Sequence, residues 1–469
     1  MIPARLQPLL DADSTAVQVA RRFQAAGFSL YLVGGSVRDL LLGRHPGDLD
    51  FATDARPDEI KEVLRRWAGR FYTAGEAFGT VGVVREGHVL QITSFRREVY
   101  RQDSRKPVVE FSQDIHADLS RRDFTVNALA LRLPEPEMVD PFGGLDDLAG
   151  RRLRTPLEPE VSFGDDPLRM LRLYRFMASL GFETDPRTEA AVGEMRSRLG
   201  IVSAERVREE LSKLLGAPKP GRALGRLVGS GLAEEFIPEI PGLALEQDPH
   251  HRHKDILSHT LAVVDKTRPN LVVRLGALFH DVGKAKTRAI GPKGVSFHHH
   301  EVVGARMARE RLQALRYPAK VVDDVSRLVY LHLRPHSFAL GWTDRAVRRY
   351  VRDAGHLLEE LNHLVRCDVT TANRARARAI QQRLDELEAR ILELRQQEEL
   401  DRLRPPIDGH AVMAFLRIEP GPLVGEALHL LTEHRIDHGP YSEEEAYRLL
   451  REWAIEKDLA RPDERSDVD

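Results

Sequence analysis

The chain has one cysteine, Cys367, in 469 residues. An intrachain disulfide is therefore ruled out, and so is a metal centre built on several thiolates. Long apolar runs are missing as well. No stretch approaches the roughly 18 consecutive apolar residues of a membrane helix, and the opening MIPARLQPLLDADS carries no secretory apolar segment. The expectation is a cytoplasmic protein with no membrane partner. An excess of positive charge is also absent: the formal net charge is -2. A site for a polyanion must then come from local clusters of arginine, whose field a balanced total does not cancel.

What is present is ordinary globular material, 42% hydrophobic and 30% charged, in a length that suggests two to four domains with real cores. STAVQVARRFQAAGF reads as an amphipathic helix, and Leu30 to Val33 as a strand that ends at Gly34-Gly35. A short helix over VRDLLLG and a strand from Asp48 to Ala52 follow, then a helix from Asp58 to Trp67 and extended segments turning at Gly87. This is an α/β unit with a small mixed sheet. From about residue 165 the pattern turns helical, and the proline- and histidine-rich text from Ile237 to His253 marks a boundary. RARARAIQQRLDELEARILELRQQEELDRLR predicts one long solvated helix and leaves a coiled-coil homodimer open. Three helices and a charged, frayed end complete the chain.

The stretch GGSVRDLLLGRHPGDLDFAT, residues 34 to 53, concentrates chemistry. Alternation along a strand puts Asp48 and Asp50 on one face and Leu49 on the other. Two carboxylates side by side repel unless a cation sits between them, and Mg²⁺ meets that need while also holding phosphate oxygens. The glycines supply a turn whose backbone N–H groups can meet a phosphate, with Arg38 nearby. The residues alone also allow two turn-capping or solvated aspartates.

LVGGSVRDLLLGRHPGDLDFAT resembles the nucleotidyltransferase head of the DNA polymerase beta superfamily, in particular class II tRNA nucleotidyltransferases and bacterial poly(A) polymerases. The resemblance implies that Asp48 and Asp50 are catalytic and bind Mg²⁺, and that Gly34, Gly35 and Arg38 handle a triphosphate. A third carboxylate is common on a neighbouring strand in that superfamily, where this chain offers the neutral Gln91.

DLSRRDFTVNALA is similar to the family's RRDFTxNA motif, which assigns sugar and phosphate contacts to Arg121, Asp123 and Asn127, with Arg122 adjacent. Without the family, those charges read equally as a solvated patch. TSFRREVYRQDSRKPVVEF, with Arg105, Lys106 and Pro107, looks like the family's flexible loop for switching from C to A addition. In FGDDPLRMLRLYRF a helix gathers Arg169, Arg172 and Arg175 on one side. Asp166 and Arg169 fit the family's (E/D)DxxR motif, which implies recognition of the base of CTP or ATP; a plain salt bridge is the bland reading. Glu205 and Arg206 are expected to be structural, and GRRLRTPLEP offers a basic patch for RNA.

Histidines concentrate between residues 250 and 336. Their order resembles an HD phosphohydrolase domain, which implies a divalent metal on His259, His280, Asp281 and Asp368. His300 and His332 match the further histidines, and Lys284 matches a phosphate contact.

The expected fold is multidomain α+β: a small mixed-sheet head over residues 1–150, then helical regions, namely a nucleobase-selecting neck over 151–245, an HD domain over 246–370 and an RNA-binding body and tail over 371–460. The expected function is CCA addition to the tRNA 3′ end from CTP and ATP, with the acceptor arm as partner and a second phosphohydrolase activity allowed. The alternatives are a CC-adding or A-adding enzyme, a poly(A) polymerase, or an HD phosphohydrolase whose head only binds RNA.

Overall fold

The computed structural model describes residues 3–45, 47–72, 75–85, 88–101, 104–245, 255–291, 294–335, 341–369, 374–398 and 404–459. Two compact units form, Met1–Leu245 with Arg311–Pro318, and Glu246–Glu310 with Ala319–Asp469.

In the first unit, helix α1 (Thr15–Ala25) starts where the Ser14 hydroxyl accepts from the N–H of Val17. It buries Val19, Ala20 and Phe23 against the sheet. Strand β1 (Leu30–Val33) runs into helix α2 (Gly35–Leu41), then come β2 (Leu49–Thr53), α3 (Pro57–Leu64), β3 (Arg70–Tyr72), β4 (Thr80–Arg85) and β5 (His88–Ser94). The hairpin expected at Gly87 is formed by β4 and β5, although Gly87 itself lies outside the described residues. After β6 (Arg96–Arg101), β7 (Ser104–Phe111) and α4 (Ile115–Ser120), β8 (Ala130–Leu133) and β9 (Glu137–Val139) close a seven-stranded sheet of order β3-β4-β5-β2-β1-β8-β9.

That order decides what meets what. β1 runs antiparallel to β2, with Leu32 opposite Phe51, so the end of β1 and the start of β2 share one end of the sheet. β8 is antiparallel to β1 on the other side, with Ala130 opposite Val33, and its preceding residues arrive at the same end. β5 is parallel to β2 and sets Gln91 beside Asp50. Each sheet face has its own core. Leu49 and Phe51 pack with α1 and α3, whereas Ala52 packs with Phe95, Ile115 and Leu119. Fully burying a side chain such as Phe51 contributes about 1.5–3 kcal/mol, so the strand register that keeps Asp50 off the Phe51 face is firmly held.

One helix and one strand start elsewhere than the sequence suggests. α2 starts at Gly35, ahead of Val37, and β2 starts at Leu49, so Asp48 stands one residue before the strand. The basic segment expected as a loop forms the antiparallel ribbon β6–β7, in which Arg105, Lys106 and Pro107 belong to a strand. Residues 102 and 103 and the side chains of 97–110 lie outside the described set, and with them the loop's expected role.

The neck of this unit comprises α5 (Gly144–Ala149), β10 (Arg152–Leu153), α6 (Pro159–Asp165), α7 (Leu168–Leu180), β11 (Glu183–Thr184), α8 (Pro186–Met195), α9 (Ala204–Leu215) and α10 (Gly221–Gly229). The short parallel pair β10–β11 is an addition to the helical pattern. The basic patch at Arg152 and Arg154 is anchored by an acid. Both guanidiniums pair with the buried carboxylate of Asp147, at 2.5 and 2.8 Å.

The second unit holds α11 (Ile256–Lys266), α12 (Leu271–Phe279), α13 (Lys284–Thr287), the hairpin β12 (Ala289–Gly291) and β13 (Gly294–Ser296), then α14 (His300–Ala314), α15 (Ala319–Leu331), α16 (Asp344–Ala354), α17 (Leu358–Asp368), α18 (Arg374–Glu398), α19 (Gly409–Leu416), α20 (Pro422–His438) and α21 (Glu443–Glu456). The long charged helix is α18. Its Leu384, Leu387, Ile391 and Leu394 are buried, and it packs on α16 and α17. The apolar stripe that could have served a coiled-coil homodimer is thus spent inside the chain. The end expected to fray, from residue 460, lies outside the described residues. No described helix is long and apolar enough to cross a membrane.

Candidate active site and a second acid–histidine cluster

At the shared end of β1, β2 and β8, a cavity of about 580 Å³ opens between the sheet and α7. Seven arginines line it, namely Arg38, Arg96, Arg121, Arg122, Arg169, Arg172 and Arg175, against three carboxylates, Asp50, Asp123 and Asp166. In a chain of net charge -2 this is a local positive field, matched to a polyanion such as a triphosphate.

Ser36 joins the glycine turn to the paired aspartates. Its hydroxyl accepts from the N–H of Asp50 at 3.0 Å and donates to the backbone carbonyl of Asp48 at 3.2 Å. Asp50 lines the cavity, while Asp48 is exposed beside it. Burial raises the Asp50 carboxyl above its ordinary value, Arg122 lowers it, and the Asp48 charge raises it again. A half-buried carboxylate with a like charge close by fits a divalent cation, which would relieve both penalties. Gln91 points to solvent from β5 and adds no charge.

Gly34 has φ +67°, and a Cβ there would lie 2.5 Å from a terminal nitrogen of Arg122. Glycine suits the left-handed turn, and its missing side chain leaves the space that the guanidinium occupies. Arg122, the less certain arginine of its motif by sequence, touches both the turn and the field of Asp50. Asp118 holds it: this buried carboxylate accepts from Arg121 at 2.6 Å and from Arg122 at 3.1 Å. Burial would raise the Asp118 carboxyl, but the two guanidiniums outweigh it and leave it below its usual range. Nothing in the sequence marked Asp118 except its spacing, three and four residues ahead of two arginines.

Asn127 sits in the single turn before β8. Its amide oxygen accepts from Arg38 at 2.5 Å, and its nitrogen donates to Asp123 at 2.8 Å. Arg172 donates to the other Asp123 oxygen at 2.9 Å. Asp123 is buried, which alone would raise its carboxyl, but Arg172, Asn127 and Arg169 hold it far below the carboxylate range. A folded pKa below the unfolded one means stability that is complete above about pH 4 to 5 and is lost as the pH falls toward the depressed value. Asp123→Asn is expected to lower the melting temperature at pH 7 and to shrink the drop between pH 7 and pH 3. Thermal melts at the two pH values check this; an unchanged drop would remove the pair from the stability account.

On α7, Arg169 donates to the Ser162 hydroxyl at 2.9 Å and to the Arg121 carbonyl. Asp166 accepts from the N–H of Leu168 at 3.2 Å and from Arg206 at 3.0 Å. Both line the cavity, yet each is engaged elsewhere, and they form no salt bridge with one another. The bland reading of that pair is thereby removed. Arg175 pairs with Glu210 at 2.8 Å. Glu210 is the buried acid of α9, whereas Glu205 is exposed and Arg206 reaches Asp166. Phe176, which the sequence did not single out, has the guanidiniums of Arg38, Arg172 and Arg175 at 5.3, 5.7 and 3.9 Å from its ring centroid.

In the second unit, separate helices deliver six side chains to one place. Nε2 of His259 lies 2.9 Å from Asp368 and 3.2 Å from Nε2 of His280. Asp281 has one oxygen 3.2 Å from His280 and 2.7 Å from Lys284, and the other 3.4 Å from His300 and 3.9 Å from His332. Two groups with metal-ligand spacing result, His259, His280 and Asp368, and Asp281, His300 and His332. Backbone carbonyls of Ala277, Phe297 and Val329 accept from Nδ1 of His280, His300 and His332, so each Nε2 is turned inward. The buried Nε2 atoms of His300 and His332 have no hydrogen-bond partner. Inward lone pairs beside carboxylates fit a divalent cation. The two acids also act on the histidines directly. Burial would lower His280, but Asp281 and Asp368 push it up to about 10, while burial and the charge on His280 push His332 down to about 3. Gly283 permits the assembly, because a Cβ there would lie 2.0 Å from the His300 carbonyl oxygen.

Three family profiles match the chain: "Poly A polymerase head domain" over residues 30–154, "Probable RNA and SrmB- binding site of polymerase A" over 181–243, and "HD domain" over 256–394. The chain is 33% identical over 443 residues to the A-adding tRNA nucleotidyltransferase of Deinococcus radiodurans, covering 91% of this chain and 95% of that protein. It is 34% identical over 434 residues to the CC-adding tRNA nucleotidyltransferase of Thermus thermophilus, covering 90% and 93%. It is also 40% identical over 245 residues to a CCA-adding enzyme of Lactobacillus gasseri, which takes in 52% of this chain. In that comparison and others like it the chain spans little more than half of the relative, 59% for Lactobacillus gasseri and 53% for a Geobacillus sp. enzyme. Among solved structures, a Bacillus stearothermophilus CCA-adding enzyme in complex with CTP aligns over 97% of this chain and 99% of its own, with TM-score 0.67 and 26% identity. A Thermotoga maritima CCA-adding enzyme complexed with tRNA shares the fold, with TM-score 0.57 and 18% identity over 96% and 95% of the two chains.

Proposed function

The chain belongs to the tRNA nucleotidyltransferase family, and from that premise we propose that it is a CCA-adding enzyme, transferring CMP and AMP from CTP and ATP to the tRNA 3′ end in the cytoplasm. The observation that carries the reading is one cavity that joins Asp50, the glycine turn at Gly35 and seven arginines, with Asp48 exposed at its side.

In this reading Asp48 and Asp50 hold Mg²⁺, which stabilises the charge on the attacking and leaving oxygens when bound. Gly34, Gly35 and Arg38 receive the triphosphate, with Arg121 and Arg122 over it, held in place by Asp118. The RNA 3′-hydroxyl attacks the α-phosphorus and loses its proton, and pyrophosphate leaves toward those arginines. Asp123 and Asn127 face the sugar, and Arg172 and Arg175 steady that wall. Asp166 and Arg169 read the base, exchanging their contacts with Arg206 and Ser162 for the base edge. The division of labour follows the chain: head over residues 1–150, nucleobase selection over 151–245, HD domain over 246–370, and RNA-binding body and tail over 371–460. His259, His280, Asp281 and Asp368 hold a divalent metal for a second, phosphohydrolase activity, with His300 and His332 completing the set.

A second reading is favoured by one finding. The two relatives quoted above that are at least 30% identical over nine tenths of their own length are an A-adding and a CC-adding enzyme, which supports half of the task, whereas solved CCA-adding enzymes align over as much of their length at lower identity. Purified protein, labelled CTP or ATP, and tRNA ending before CCA, after C or after CC separate the cases. CCA addition gives three nucleotides on the shortest tRNA. Arrest after CC, or addition of A only to the CC end, selects the half-task enzymes, and no transfer to any tRNA overturns the transferase reading.

A further inference from the structure

The second unit carries a groove of about 1150 Å³ that neither the acid–histidine cluster nor the proposed transfer uses. It lies along α14 and α15, with Asp353 and His356 also lining it. Its carboxylates are engaged. Asp323 pairs with Arg309 at 2.7 Å, Asp324 with Lys320 at 3.0 Å and His356 at 2.9 Å, and Asp353 with Arg334. Arg306 of α14 and Arg327 of α15 are different. Both are exposed, and neither has a hydrogen bond or ion pair with any described residue. One turn past Arg327, Tyr330 is 43% exposed, and the Arg334 guanidinium lies 5.7 Å from its ring centroid.

Each guanidinium offers a fork of N–H donors that no described protein group meets, in a groove where the carboxylates are already neutralised. An exposed ring backed by a cation is a platform for a nucleobase. The 13 residues of α15 extend about 20 Å at 1.5 Å per residue, long enough to follow several phosphates of one strand. A small free anion would use only one of these features, whereas every nucleotide of an RNA strand carries both a phosphate and a flat base.

We propose that this groove binds an RNA strand, with phosphates on Arg306 and Arg327 and a base stacked on Tyr330. The proposal rests on the reading that the substrate is RNA. It adds a contact region outside residues 181–243, the segment whose profile description names RNA binding.

The test is fluorescence anisotropy of the full chain with labelled tRNA lacking its CCA end, across a series of salt concentrations. Arg306→Gln with Arg327→Gln is expected to weaken binding about tenfold or more and to reduce the slope of log K against log salt by roughly 1.4 to 1.8, the share of two phosphate contacts. Tyr330→Ala is expected to weaken binding about tenfold with the slope unchanged, and Tyr330→Phe to bind as wild type. All three positions are exposed, so the variants should fold, as circular dichroism checks. At saturating tRNA the rate of nucleotide addition stays at the wild-type value. Unchanged affinity and slope in the double arginine variant overturn the proposal, as does wild-type protein that fails to bind RNA. Protein that binds RNA through these residues yet adds no nucleotide keeps the groove and sinks the transferase reading instead.

Discussion

Asp50→Asn is expected to slow nucleotide addition by at least about a thousandfold, equivalent to roughly 4 kcal/mol of transition-state stabilisation, while CTP binding in the absence of RNA changes by less than about tenfold. Asparagine has nearly the shape of aspartate, and the Asp50 N–H would keep its bond to Ser36, so the strand and the turn stay in place. What disappears is the charge. In the native chain that charge is kept at a cost, because burial and the nearby Asp48 both raise the Asp50 carboxyl. A cation shared between the acids converts the cost into stabilisation of the reacting oxygens, and a neutral amide cannot do so. Single-turnover incorporation of labelled CMP, with calorimetric titration of CTP alongside, measures both halves. More than a tenth of native activity in the variant would exclude Asp50 as a metal-bearing carboxylate.

Asp281→Asn is expected to weaken divalent-metal binding in the second unit at least about a hundredfold, the upper end of what is lost when a residue merely supporting a ligand is removed. Its two oxygens face both histidine groups, with His280 on one side and His300 and His332 on the other, and Lys284 is 2.7 Å away. Removing this one charge therefore weakens both groups together. Metal content after dialysis gives the readout, and phosphatase assays on RNA bearing a terminal phosphate follow any activity. Nucleotide addition should be unaffected, since none of the residues that line the head cavity belongs to this cluster. Metal retained at the native level would show that Asp281 is an ordinary buried acid paired with Lys284.

Much of the head site could be read in order along the chain because its parts are local motifs. A glycine turn, acids two apart at the start of a strand, and arginines three apart on a helix carry their geometry in their spacing. Arg122 and Asp118 were harder. Arg122 matters because a left-handed glycine 88 positions earlier leaves room for its guanidinium, and no spacing rule connects residues that far apart. Phe176 carried no mark in the sequence: Arg172 and Arg175 lie on its own helix, but Arg38 of α2 reaches its ring only through the packing of the fold. Arg152 and Arg154 show the same limit: their shared partner, the buried Asp147, emerges only in the fold.

By itself the sequence determined the mixed α and β character of the head, the helical pattern of the rest, the exclusion of disulfides, and the two families of chemistry. Composition and periodicity are local properties, and local rules suffice for them. Tertiary structure alone decided that β1, β2 and β8 bring their chemistry to one end of the sheet, and that the stripe of α18 faces its own neighbours. It also decided that Arg306 and Arg327 remain uncommitted while similar arginines nearby are paired. The physical reason is that pairing, burial and cavity shape depend on groups distant in sequence, whose approach is set by the packing of whole elements rather than by any residue's own preference.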